Sequence, residues 1–269
     1  MTTRQKALLV ATFLLALSIR LFFVGTVFEQ SMAIPQDTLR SQNTTYIAED
    51  SRMYLRLAFE AMENGILSAG NERRTPGYPL FLALLGISPL FVLFTQCVLV
   101  SLIPAGTYYL ILKSTQRTSF ALIAGIYLAV HPSLVGVSGF LIPDALFCVL
   151  FFFAALTLWW ATSTNKNSLF LLSGLLWAAG LLVKPVLLLG IVLAPLLSIC
   201  LAYALETKIK RLPLLLLIVP LITLATGWSA INYTKTGMFT YSTIGTFTAH
   251  EYLAARVEAS KELGRLPTW

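Results

Sequence analysis

The sequence predicts an all-α polytopic membrane protein, and three observations carry that prediction. Of the 269 residues 57% are apolar and only 12% charged, about half the ~25% charged content usual in soluble domains. The apolar residues gather in windows at 7–28, 89–112, 118–134, 143–162, 168–183, 186–205 and 212–231, close to the roughly 20 residues that a helix needs to cross a bilayer. Inside these windows Leu, Val, Ile and Phe run on continuously instead of alternating. That suits helices, which satisfy their own backbone groups in lipid, and not the strands of a barrel.

The first window follows Arg4 and Lys6 and so has the flanks of a signal peptide. Its length exceeds the roughly 7 to 15 residues of a signal-peptide core, and no small-residue cleavage site precedes Glu29 and Gln30, so it reads as an uncleaved anchor. Arg20, near its far end, either faces the helix bundle or snorkels outward. Segment 29–88 is too long for a plain connector. From Asp50 it reads as a surface helix, with Met53, Tyr54, Leu57, Ala58 and Ala61 on one face, Arg52, Arg56, Glu60 and Glu63 on another, and Gly65 as its stop. After Pro76, the stretch GYPLFLALLGIS is too short to span and predicts an interfacial or re-entrant helix. The remaining windows complete a seven-span module, 1–231, and 232–269 forms a C-terminal segment beyond it.

Orientation follows from the short loops. With the N-terminus in the cytoplasm, the cytoplasmic segments hold Arg4, Lys6, Lys113, Arg117, Lys166, Lys208, Lys210 and Arg211 against a single acid, Glu206, which accounts for the whole formal charge of +7. Loop 29–88 and the tail then lie outside.

No HExxH, P-loop, GxGxxG or CxxC pattern occurs, so zinc, nucleotide and dinucleotide chemistry find no support. Cys97, Cys148 and Cys200 fall inside apolar windows without disulfide or metal spacing, and His131 and His250 stand alone. Asn43-Thr-Thr45 and Asn232-Tyr-Thr234 fit the glycosylation acceptor pattern by composition alone. Tyr54, Tyr78, Trp228 and Tyr233 lie where an aromatic interface belt is expected.

One loop stands out: Glu49-Asp50-Ser51-Arg52-Met53-Tyr54, Leu57-Ala58, Gly65, then Arg74-Thr75-Pro76-Gly77-Tyr78-Pro79-Leu80-Phe81. An acid followed by Ser, a Tyr four residues on, and an Arg-x-Pro-Gly-Tyr-Pro-Leu-Phe run closely resemble the first outside loop of membrane glycosyltransferases of the GT-C type. Within that type the sequence is most similar to glycosyltransferase family 39, with its dolichyl-phosphate-mannose-protein mannosyltransferase and aminoarabinose transferase relatives. Pro143-Asp144-Ala-Leu-Phe147 resembles the family's Pro-acid-x-Leu-Phe, Gly180-Leu-Leu-Val-Lys184-Pro185 its Gly-Leu-x-x-cation-Pro turn, and Trp228-Ser-Ala-Ile231-Asn232-Tyr233 with Gly237-Met-Phe239 its Trp-x-x-Arg-Asn-Tyr and Gly-x-Phe. Ile231 stands where the family has Arg. Family members continue through further spans, whereas this sequence stops at Trp269.

The resemblance implies an inverting transferase that moves a sugar from a polyprenyl-phosphate donor to a hydroxyl on a glycan, lipid or protein acceptor, in a bacterial plasma or inner membrane. It does not imply nucleic acid as a partner. Asp50 is then the candidate general base, with Glu49 as the alternative acid, although an Asp at a helix start also serves simply as an N-cap. Asp144 is a second catalytic or acceptor-orienting candidate, or a solvated helix start. Lys184 is the foremost phosphate ligand, with Arg73 and Arg74 sharing the role and Tyr54 beside them; snorkelling to lipid headgroups is the alternative for Lys184, and binding anionic membrane lipid the alternative for Arg73 and Arg74. No cofactor is implied, but Glu49 and Asp50 together are compatible with a divalent cation. A transporter or flippase-like protein, or a catalytically incomplete fragment of a transferase, are the competing readings.

Overall fold

The computed structural model describes residues 1–32, 49–207, 211–248 and 257–258, with the backbone alone for 29–32, 49 and 247–248. Among the described residues every regular element is helical: α1 Thr3–Met32, α2 Glu49–Asn64, α3 Gly77–Leu84, α4 Pro89–Thr115, α5 Thr118–Val130, α6 Pro132–Gly136, α7 Asp144–Thr164, α8 Asn167–Val183, α9 Gly190–Ala204, α10 Arg211–Thr236 and α11 Ile244–Thr248. Asn43, Lys208, Lys210, His250 and most of the tail after Thr248 lie outside the described residues.

By length and composition five helices are suited to crossing a membrane: Thr3–Phe28, Pro89–Thr115, Asp144–Thr164, Pro185–Ala204 and Arg211–Thr236. The chain is therefore an integral membrane protein. The other two windows depart from straight spans. Window 118–134 is broken, with Thr118–Val130 meeting Pro132–Gly139 at 52°. Pro132 is the cause, because a residue before proline is excluded from helical backbone, and His131 is extended at φ −61°, ψ 120°. Window 168–183 forms α8, which at 17 residues is shorter than those five spans.

A helix broken inside an apolar bundle strands its last carbonyls. Arg20 answers this: its guanidinium is fully buried and donates from Nη1 to Ala16 O (2.9 Å) and Ala129 O (3.1 Å), reaching Leu128 O at 3.5 Å. It thus faces the bundle and caps the end of α5, where cations are favoured by the helix dipole.

The short helix α8 holds the middle of the second half of the bundle. Phe170, Trp177, Ala178 and Leu181 are buried within it. Ser173 Oγ donates to Ala154 O of α7 at 2.8 Å, and Gly174 lies so close to α10 that a Cβ there would be 2.6 Å from Leu217 O. Small residues permit this backbone approach. The C-terminus of α8 is consequently fixed at the end of the bundle where α2 and α3 pack.

Helix α2 buries Ser51, Tyr54, Leu57, Ala58 and Ala61. Met53, expected on that face, is instead 37% exposed, since it lies one residue off the buried stripe. Gly65 ends the helix with φ 91°, a backbone shape that favours glycine.

Candidate functional site

Asp50 sits in the first turn of α2, where the helix dipole favours a carboxylate. Tyr54 follows one turn later on the same side. The loop after α2 brings Arg74 back to both: Nη2 donates to Asp50 Oδ1 at 2.5 Å and Nη1 to the Tyr54 hydroxyl at 3.2 Å, with the guanidinium 5.2 Å from the Tyr54 ring centre. The Asp50 side chain stays 56% exposed while Arg74 is 20% exposed, so the pair opens toward solvent on its acidic side.

The shape of that loop is encoded locally. Asn71 Oδ1 accepts the N–H groups of Arg73 (3.0 Å) and Arg74 (2.8 Å), which closes a turn of the kind Asn favours. Thr75 Oγ1 then donates to Val183 O at 3.3 Å, and at Gly77 a Cβ would lie 2.6 Å from Leu182 O. Only glycine allows this approach. The result fastens the Arg74 loop to the end of α8, beside Lys184.

Lys184 follows α8, and Asp144 begins the antiparallel helix α7. Lys184 Nζ donates to Asp144 Oδ1 at 2.7 Å and sits 5.4 Å from the Phe147 ring centre. Each charge occupies the helix end that its sign favours, so the dipoles and the ion pair reinforce one another.

Tyr54 touches the first pair through Arg74 and feels the field of Asp144 in the second. Burial pushes its phenol above the usual value of 10.0; Arg74 pulls it back, while Asp50 and then Asp144 push it further up. Tyr78 is raised well above that value by burial, by Tyr54 and by Asp144. Both phenols are therefore neutral at neutral pH. Tyr78 packs edge-on to Tyr54 with ring centres 5.3 Å apart and donates its hydroxyl to Gln96 Oε1 at 2.9 Å. Gln96, fully buried in α4, passes the contact on from Nε2 to Phe140 O at 2.9 Å.

Helix α10 and the following strip close the other side. Gly70 leaves no room for a Cβ, which would lie 2.7 Å from the Trp228 ring. Asn232 Nδ2 donates to Thr240 O (2.8 Å) and Tyr241 O (3.3 Å), and the strip so held binds the loop: Ser242 Oγ donates to Arg73 O (2.9 Å) and the Thr243 N–H to Glu72 O (2.7 Å). The buried Tyr241 hydroxyl donates to Leu181 O at 2.8 Å.

Four segments singled out in the sequence thus meet at one end of the bundle, and Asp50, Tyr54, Arg74, Asp144 and Lys184 form its charged centre. Arg73 is exposed and contributes through its backbone, while Arg74 is the cation that reaches Asp50. Glu49 is the first residue of α2, and its side chain lies outside the described residues. Tyr54, Tyr78 and Trp228 are buried supports and not members of an interface belt; Tyr233, at 57%, is exposed. Asn232 is buried and committed to its two carbonyls, which removes it as a glycosylation acceptor.

Gln96, Thr75 and Tyr241 were not legible as site residues, although an amide inside an apolar window is a signal in itself, because it needs a partner there. Among the described residues no group of three His, Cys, Asp or Glu side chains comes together, and Asp50 and Asp144 each face a cation. No protein-family model, curated protein or solved structure compared with this chain matches it.

Proposed function

We propose that the protein is an inverting glycosyltransferase of the GT-C type, using a polyprenyl-phosphate sugar and acting on an acceptor hydroxyl at the outer face of the membrane. The observation that supports this is the presence of two acid–cation pairs, Asp50–Arg74 and Asp144–Lys184, at one end of an apolar bundle, where the Arg74 loop is fastened to the end of α8 beside Lys184. A lipid-linked donor presents its phosphate at such a boundary while its tail stays in hydrocarbon.

In this reading the donor phosphate competes with the carboxylates for Arg74 and Lys184. That frees the exposed carboxylate of Asp50 to receive a proton. The acceptor oxygen attacks the sugar C1 as its proton passes to Asp50; the bond between C1 and the phosphate oxygen breaks, and its electron pair leaves with the polyprenyl phosphate. Arg74 and Lys184 stabilise the charge that develops on that leaving group. Asp144 orients Lys184 and, with Tyr54, the acceptor side of the site. The seven-span module with its N-terminus in the cytoplasm is the topology the reading requires.

The test uses the purified full chain in lipid with a panel of radiolabelled polyprenyl-phosphate sugars. Asp50→Asn is expected to lower transfer by roughly 10²- to 10⁴-fold while donor binding persists. Undiminished turnover in that variant would sink the role of Asp50. Accumulation of sugar inside vesicles with no covalent product would assign the protein to transport instead.

A further inference from the structure

The far end of the bundle carries a second site. The start of α1 and the start of α5 flank an open cavity of about 480 Å3. Its mouth is polar, lined by Arg4, Gln5, Thr118 and Ser119; its floor, one turn further along each helix, is apolar, lined by Leu8 and Leu122. The walls are tied together, not merely adjacent. Gln5 Nε2 donates to Thr118 Oγ1 at 3.3 Å, and the fully buried Tyr108 of α4 donates its hydroxyl to Gln5 O at 3.1 Å.

Lys6, Lys113 and Arg117 belong to the same three helix ends. Arg117 lies 5.3 Å from the Phe120 ring centre and Lys113 lies 6.0 Å from that of Tyr109. Among the described residues, none of Arg4, Lys6, Lys113 and Arg117 has an acidic partner within ion-pair distance. Arg4 lines the cavity itself, and Lys6, Lys113 and Arg117 add unmatched positive charge on the adjoining helix ends. A cation beside hydroxyls and leucines describes a receptor for an amphiphile whose head is an anion.

We propose that this cavity binds the phosphate headgroup of an anionic membrane phospholipid. The phosphate sits against Arg4 and the Thr118 and Ser119 hydroxyls, and the first carbons of its chains follow Leu8 and Leu122 down the groove. A free phosphate would use the same polar mouth, but the apolar floor at the ends of spanning helices selects the lipid. Basic pockets between membrane helices bind anionic headgroups by this chemistry. The proposal is independent of the transfer reaction at the opposite end.

Native mass spectrometry of the full chain, after equilibration with equal amounts of phosphatidylglycerol and phosphatidylcholine, tests it. The expected result is preferential retention of phosphatidylglycerol. Arg4→Gln lowers that retention roughly fivefold, Arg4→Lys restores most of it, and Arg211→Gln, remote from the cavity, leaves it unchanged. Equal retention of the two lipids, or equal losses in Arg4→Gln and Arg211→Gln, would overturn the site. Displacement of the bound lipid by inorganic phosphate would overturn the lipid assignment in favour of a free anion.

Discussion

The two ends of the bundle handle charge in opposite ways. At one end Asp50, Arg74, Asp144 and Lys184 are matched into ion pairs, and the loop that carries Arg74 is locked to α8 and α10 by hydrogen bonds and by two glycines with no room for a Cβ. At the other, Arg4 lines an open cavity, and Lys6, Lys113 and Arg117 lie on the same helix ends, all four without acidic partners among the described residues. Matched charge on a rigid frame is suited to placing reacting atoms, since positions must be held before a substrate arrives. Unmatched charge around a cavity is suited to holding an anion that comes from the membrane. The same residue types therefore serve different ends according to what faces them.

Substitutions can break or sharpen this contrast. The largest effect is expected for Asp50→Asn, which should lower transfer by roughly 10²- to 10⁴-fold, the range for losing a general base. Its stability should change by less than about 1 kcal/mol, because the pair with Arg74 is open to water. Arg4→Gln at the other end should leave transfer intact, so loss of activity in both variants would erase the distinction between the ends.

Next in size is Gly77→Ala. Its new Cβ meets the backbone of Leu182, which cannot rotate away, and overpacking of this kind costs about 1 to 3 kcal/mol. A lowered unfolding midpoint in detergent, together with lost transfer, would tie the rigid loop to the site. Gln96→Leu should cost a similar or smaller amount, about 1 to 3 kcal/mol, because it strands the Tyr78 hydroxyl and the Phe140 carbonyl. An unchanged midpoint would mean that Tyr78 is held by packing alone.

A double-mutant cycle on Asp144→Asn and Lys184→Met should give a coupling below about 1 kcal/mol, since both side chains are about one-third exposed. A much larger value would show that the pair is a structural staple first. The smallest effect is on pH dependence. The folded state raises the pKa of Tyr54 above 10.0, so the stabilisation is complete below that pH and is lost as pH rises through the folded value, where the unfolded chain has already released its proton. Unfolding midpoints measured across the alkaline range should fall more gently in Tyr54→Phe than in the unchanged protein.

The helices were largely legible because the term that creates them acts residue by residue along the chain. Each apolar window is helical, although 118–134 is split in two; Gly65 ends α2 where its φ of 91° requires it, and of the residues assigned to the buried face of α2 only Met53 is exposed. The break at His131 was not foreseen, although Pro132 was its visible cause. Within the site, the candidate side chains were named without their partners. Nothing in the spacing indicated that Arg74 and not Arg73 would reach Asp50, because the choice depends on the turn made by Asn71.

Helix placement and membrane character follow from apolar run length and composition, because the cost of leaving backbone or charge in hydrocarbon is paid locally at every residue. The pairings Asp50 with Arg74 and Asp144 with Lys184, 24 and 40 residues apart, follow instead from α8 packing between α7 and α10 and from Gly77 pressing against Leu182. An ion pair depends on distance through space, and only the packing of the bundle sets that distance.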